Sequence, residues 1–271
     1  MIEEQKGAAE AEDLIEGLGF SSLPIKPEDV AGAINGDDFK LILEAKNLQS
    51  DKILGKAVGN DKGALIYINA NIPDPRRFNF TAAHEIGHVC MHIMPMHKLE
   101  FECGFNEINN PFNDPIEKEA NGFASGLLMP KQLISSHTDG EVNWSNIREI
   151  SVLTDASLEA SYRRMSFLSR EPSAMVIHEN GQFRRYVPSS NFGFFIPKSP
   201  LSADQIDLAV DVKEEPYPRE FERADASDWI NPYHKGLTLE SIYFSTVILN
   251  DGFSYTLLSY DDDCYSPEGE Y

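Results

Sequence analysis

The chain has 271 residues, 41% hydrophobic and 10% aromatic, enough to bury a sizeable core and to divide it among two or three modules. Its formal net charge is −21, and residues 200–271 alone carry 16 acidic against 4 basic side chains, a surface that repels phosphate backbones and anionic membranes, so direct DNA binding is not expected. No run of about 18 apolar residues could span a membrane, the N-terminal MIEEQKGAAEAEDL has no secretory pattern, and Cys90, Cys103 and Cys264 make no paired framework, so reduced thiols in a cytoplasmic protein are expected.

In chain order, apolar spacing predicts a helix over 8–19, a connector with two prolines, and a short helix near 28–34. FKLILEA (39–45) and ALIYINA (64–70) read as strands, separated by a glycine-rich stretch with the Asn-Asp signal of a hairpin. Pro73 and Pro75 stop the second strand, and Asp74 is placed to cap a long helix over 76–93. Residues 94–112 read as a loop or lid, broken by Pro95, Gly104 and Asn109-Asn110-Pro111. Asp114 and Pro115 then start a helix running to Pro130, because proline suits the first helical position and aspartate caps it. Two short helices follow over 145–168. From residue 171 the texture becomes β-rich, with Asn180-Gly181 turning one hairpin and Asn250-Asp251-Gly252 another. The expected division is 1–140, 141–170 and 171–271.

Chemistry concentrates in the long helix, at His84-Glu85-x-x-His88. Four residues are about 400° of helix rotation, so both imidazoles leave one face a turn apart, as two ligands of a tetrahedral zinc ion require. Glu85 lies about 100° round from His84, able to reach a zinc-activated water without ligating the metal. A zinc site of this kind needs a third protein ligand and one open position. The helix from Asp114 offers Glu117 and Glu119. Glu117 shares a face with Ala120 and Ala124, which with Gly87 suit close helix packing, whereas Glu119 points away toward solvent or Phe123. Glu117 is therefore preferred, with Glu119 as the alternative, although Glu117 could instead complete a capping box with Asp114. Asn121 is placed to support a ligating side chain, and His92 is too far along the axis to join the tetrahedron, leaving it a supporting or helix-end role. Tyr162 could stabilise an oxyanion or simply fill a core. Residues 145–170 hold four arginines against Glu149, Asp155 and Glu159, too small an excess for a DNA footprint.

RFNFTAAHEIGH and EKEANGFASGLLMP together resemble the ImmA/IrrE family of zinc metallo-endopeptidases over residues 23–168. The resemblance implies an α+β chain: a zincin-like, gluzincin-type core with a His-Glu-x-x-His helix and a small sheet, then a helix-turn-helix-like segment and a β-rich C-terminal domain. It implies one zinc per chain on His84, His88 and Glu117, with Glu85 catalytic. It further implies hydrolysis of a peptide bond in a specific protein partner, a helix-turn-helix transcriptional repressor. The alternative is a catalytically silent zinc protein that senses or sequesters the repressor. The N-terminal DNA-binding domain of some relatives is not seen in this sequence.

Overall fold

The computed structural model describes residues 2–48, 50, 52–96, 100–104, 114–211, 217–218, 220–249 and 251–266. The chain divides into two compact units: Met1–His137 with Ile150–Ser157, and Thr138–Glu149 with Leu158–Tyr271.

The first unit is built on a four-stranded sheet. β1 (Lys40–Lys46) runs parallel to β3 (Gly63–Asn69), and β2 (Ile53–Asn60) pairs antiparallel with β3 and with β4 (Glu100–Gly104), giving the order β1-β3-β2-β4. Two of these strands depart from the sequence expectation. The glycine-rich stretch before β3 is itself a strand, since pairing on both edges outweighs the poor strand propensity of its glycines. β4 lies where a loop was expected; the rest of the expected lid, 97–99 and 105–112, lies outside the described residues.

α3 (Pro75–His88) packs on β2 and β3 and continues through a π-helical turn, Val89–Ile93, into Met94–Met96. α4 (Pro115–Leu128) packs on α3 and on α1 (Ile2–Gly17), while α2 (Pro27–Ile34) lies against α3 and β1. The predicted caps are present: Asp74 accepts from the Arg76 amide at 3.0 Å and Asp114 from the Ile116 amide at 2.9 Å. Each such cap contributes about 1 kcal/mol of helix stability. α1 begins six residues earlier than the spacing predicted, because its first turns bury Gly7, Ala8 and Ala11 against α4. That approach is so close that a Cβ at Gly122 would run into the Glu4 backbone. At Gly87 the closest approach is to the Phe123 side chain, within 3.0–3.1 Å of where a Cβ would sit.

The second unit carries a larger sheet. Its long strands are β5 (Ser173–Glu179), β6 (Gln182–Pro188), β11 (Ser241–Ile248) and β12 (Phe253–Ser259); β7 (Val210–Asp211) and β8 (Glu222–Asp225) are short. The order is β6-β5-β12-β11-β7, with β8 also paired to β11, and a separate small hairpin joins β9 (Tyr233–His234) to β10 (Leu237–Thr238). Asn180 and Gly181 adopt φ of 51° and 74°, as a tight hairpin turn of the primed type demands. The second expected turn joins β11 to β12, although its Asn250 lies outside the described residues. Trp229 packs on Phe244 at a ring separation of 5.3 Å within an aromatic core that includes Phe192 and Phe194. Trp144 belongs to this unit and donates its indole N–H to the Ser245 carbonyl at 2.9 Å. Two of the helix-pair arginines are committed locally: Arg164 is only 1% exposed and Arg163 pairs with Glu159 at 2.9 Å. Among the described residues no helix is long and apolar enough to cross a membrane.

Candidate metal centre

His84, Glu85 and His88 are all fully buried on α3, and Glu117, in the first turn of α4, is 8% exposed. Helix periodicity sets the two imidazoles on one face, with Nε2 atoms 3.0 Å apart. Packing of α4 against α3 then brings Glu117 to them: its carboxylate oxygens lie 3.2 Å from His84 Nε2 and 3.4 Å from His88 Nε2. Bonds of about 2.1 Å to a tetrahedral zinc ion would set such donors about 3.4 Å apart. Spacing and donor chemistry, two imidazoles and one carboxylate, therefore fit a metal ion, and this trio is the one cluster able to hold a metal among the described residues. Glu117 turns its carboxylate to the histidines, which decides against its serving mainly as a capping-box partner of Asp114.

The other ring nitrogens are held in place. His84 Nδ1 donates to Asn121 Oδ1 at 2.9 Å, which leaves Nε2 with its lone pair facing Glu117. His88 Nδ1 lies 3.1 Å from His92 Nδ1, and His92 Nε2 lies 2.9 Å from Glu119 Oε2. Lys6, from α1, donates to Glu119 Oε1 at 2.8 Å. Only one tautomer assignment satisfies this chain with neutral rings: His92 donates from Nε2 to the carboxylate, His88 donates from Nδ1 to His92, and His88 Nε2 keeps its lone pair. Glu119, expected to point toward solvent or Phe123, is the anchor of this relay. His92 reaches it because the π turn brings its ring beside His88, tilted by 51° with centroids 5.2 Å apart.

Electrostatics favour the ligand-ready state. Burial lowers His88 to about 4, keeping the ring neutral at physiological pH, although contact with Glu117 opposes the shift. Burial by itself would raise the Glu117 carboxyl, but its close approach to both histidine rings lowers it below the usual carboxylate range. Because outer partners fix ring orientation and basicity, His92→Phe is expected to weaken metal affinity about 10–100-fold while leaving all three donors present. Competition against a chromophoric chelator measures it; an unchanged affinity would make the relay a packing feature.

One contributor had no chemical signal in the sequence. Gly55, at a register shift in β2, passes so close to α3 that a Cβ there would collide with Glu85 Oε1 and lie 2.9 Å from its Cγ. An isolated glycine in a strand hints at close backbone approach but does not say to what. Tyr162 lies in the second unit, fully buried, its hydroxyl 3.3 Å from Ser173 Oγ and raised to about 12 by burial. That is the geometry of a core tyrosine, and no role at the metal centre is assigned to it. Cys90 is partly buried, and its thiol is pushed up to about 12 by burial, an inert state.

Residues 42–166, which include every member of the cluster, match the family model described as Peptidase_M78, IrrE N-terminal-like domain. Among solved structures the chain resembles a Mycobacterium tuberculosis transcriptional regulator, with a TM-score of 0.53 and 13% identity over 93% of this chain and 87% of that one. At that identity the likeness is one of fold. No curated protein matched the chain.

Proposed function

We propose that this chain, whose residues 42–166 match the IrrE N-terminal-like domain model, is a zinc-dependent endopeptidase acting on a specific protein partner. The observation that carries the reading is the buried trio His84, His88 and Glu117 with the Glu85 carboxylate one residue from a ligand. When bound, zinc would supply Lewis acidity, lowering the pKa of water toward neutrality and polarising a carbonyl. His84 and His88 would hold the ion through neutral Nε2 lone pairs, and Glu117 would add one negative charge. Glu85 accepts the proton of the attacking water on its carboxylate as the new C–O bond forms. It then delivers that proton to the amine nitrogen as the C–N bond breaks.

Gly55 acts through Glu85. Gly55→Ala is expected to push the Glu85 carboxylate out of line and slow cleavage by roughly a hundredfold, since a displacement of about 1 Å can cost that much. Zinc content should stay at one per chain. Equal loss of zinc and activity would instead mean that the added methyl group disrupts the whole centre.

A transcriptional repressor of the helix-turn-helix class is the proposed substrate, as the family resemblance implies. The mycobacterial neighbour is itself a transcriptional regulator, which supports a regulatory setting. The acidic surface and the internally paired helix arginines favour a protein partner over DNA. The deciding experiment incubates the zinc-loaded full chain with candidate repressors and reads fragments by mass spectrometry. One defined cut, abolished by chelation and restored by zinc, supports the reading. Stable binding of intact repressor under every condition would instead identify a sequestering protein.

A further inference from the structure

The second unit contains a cleft of about 610 Å³ far in sequence from the metal ligands, and its lining has a consistent chemistry. Four carboxylates border it, Glu141, Glu171, Asp261 and Asp262, all exposed, with no basic side chain among the described lining residues. Tyr243, Tyr260 and Tyr265 provide aromatic walls, the last two perpendicular with ring centroids 6.0 Å apart. Among the lining residues, Asn143 is 2% exposed; its Oδ1 accepts from the Asn146 amide, but its Nδ2 has no hydrogen-bond partner among the described residues. A buried amide donor without an acceptor is costly, and a peptide carbonyl is the group that would satisfy it.

Negative charge beside tyrosine faces is the environment that holds an organic cation, by ion pairing at the rim and attraction to the ring quadrupole. The unit already uses this chemistry at Tyr243, a residue of the cleft lining. Arg223 places its guanidinium 5.8 Å from the Tyr243 ring centre, held by Ser241 Oγ at 2.8 Å and the Asp263 carbonyl at 2.9 Å. Consistent with a negative potential in the cleft, the charge of Asp261 raises the Tyr243 hydroxyl above its ordinary pKa. A metal ion is a poorer fit, because these carboxylates do not converge into a ligand cluster. Phosphate and nucleic acid would be repelled. The volume exceeds what one side chain fills and lies in the range of clefts that also take flanking backbone.

We propose that this cleft binds an arginine- or lysine-bearing segment of a partner protein, with the cation between the carboxylates and tyrosines and a backbone carbonyl at Asn143. The inference stands independently of catalysis and is read by binding alone.

The test uses the full-length chain carrying Glu85→Gln, so that no peptide is cut. A fluorescein-labelled nine-residue peptide alternating arginine and glycine is titrated at low salt and followed by anisotropy, beside a lysine version and an isosteric citrulline version. Saturable binding is expected for either cationic peptide, on the order of tenfold tighter than for citrulline. Glu171→Gln with Asp262→Asn should weaken it by a similar factor, and Tyr265→Leu, which leaves the charge unchanged, should weaken it several-fold. Asp37→Asn with Asp38→Asn, two exposed carboxylates of the first unit, should leave it unchanged. Thermal melts of each variant separate loss of binding from loss of fold. Equal weakening by the two double variants, equal binding of citrulline, or a titration that never saturates would overturn the proposal and leave only diffuse attraction to an acidic surface.

Discussion

Glu85→Gln is expected to keep zinc near wild-type occupancy and to cleave its partner about 10²–10⁴-fold more slowly, the range over which a positioned proton acceptor acts. Glutamine has nearly the shape of glutamate, so the space left by Gly55 still accommodates it, and neither the Nε2 donors nor Glu117 is touched. What disappears is the only change that matters for the step: an amide cannot take the proton of the attacking water or return it to the leaving amine. Elemental analysis and single-turnover cleavage on the same preparation give the two readouts. Cleavage at the wild-type rate would place the proton acceptor elsewhere. Parallel loss of zinc would show that Glu85 holds the centre together instead of serving it chemically.

Glu117→Ala should lose zinc through a short desalting step that the wild-type chain survives, whereas Glu119→Ala should retain it. The two carboxylates sit two residues apart on one helix and differ in what they face. Glu117 is within 3.2–3.4 Å of both Nε2 atoms, while Glu119 meets His92 and Lys6. Removing Glu117 leaves two neutral imidazoles and no anionic donor. Removing Glu119 only releases the outer end of the relay, so the expected cost is about 10–100-fold in affinity, far short of abolition. Zinc retained by Glu117→Ala and lost by Glu119→Ala would reverse the assignment. The comparison is made near neutral pH, because protonated imidazoles do not bind metal.

Those two carboxylates also mark the boundary between local and global information. The amino-acid sequence by itself determined everything that depends on a few consecutive residues. Helix periodicity places His84 and His88 on one face whatever surrounds them, Asp74-Pro75 and Asp114-Pro115 start helices wherever those segments lie, and Asn180-Gly181 turns a hairpin by its own backbone preference. A facing argument along α4 could favour Glu117 over Glu119, yet it sent Glu119 toward solvent or Phe123, because the sequence does not reveal what stands opposite.

Tertiary structure decided the rest. Lys6 meets Glu119 across 113 residues and His92 meets it across 27, and their hydrogen bonds turn an apparently spare carboxylate and a spare histidine into one relay. The π turn that brings His92 beside His88 has no sequence signature. β2 and β4 exist because each finds a partner, although glycines in the first and breakers around the second argue against strand from propensity alone. Gly55 acquires meaning only when β2 is laid against α3, where a missing Cβ becomes the space that Glu85 occupies. Backbone spacing is fixed by covalent geometry and short hydrogen-bonded rings, so it is written locally. Which side chain a given group meets is set by packing between segments distant in sequence, and that is settled only when the chain has folded.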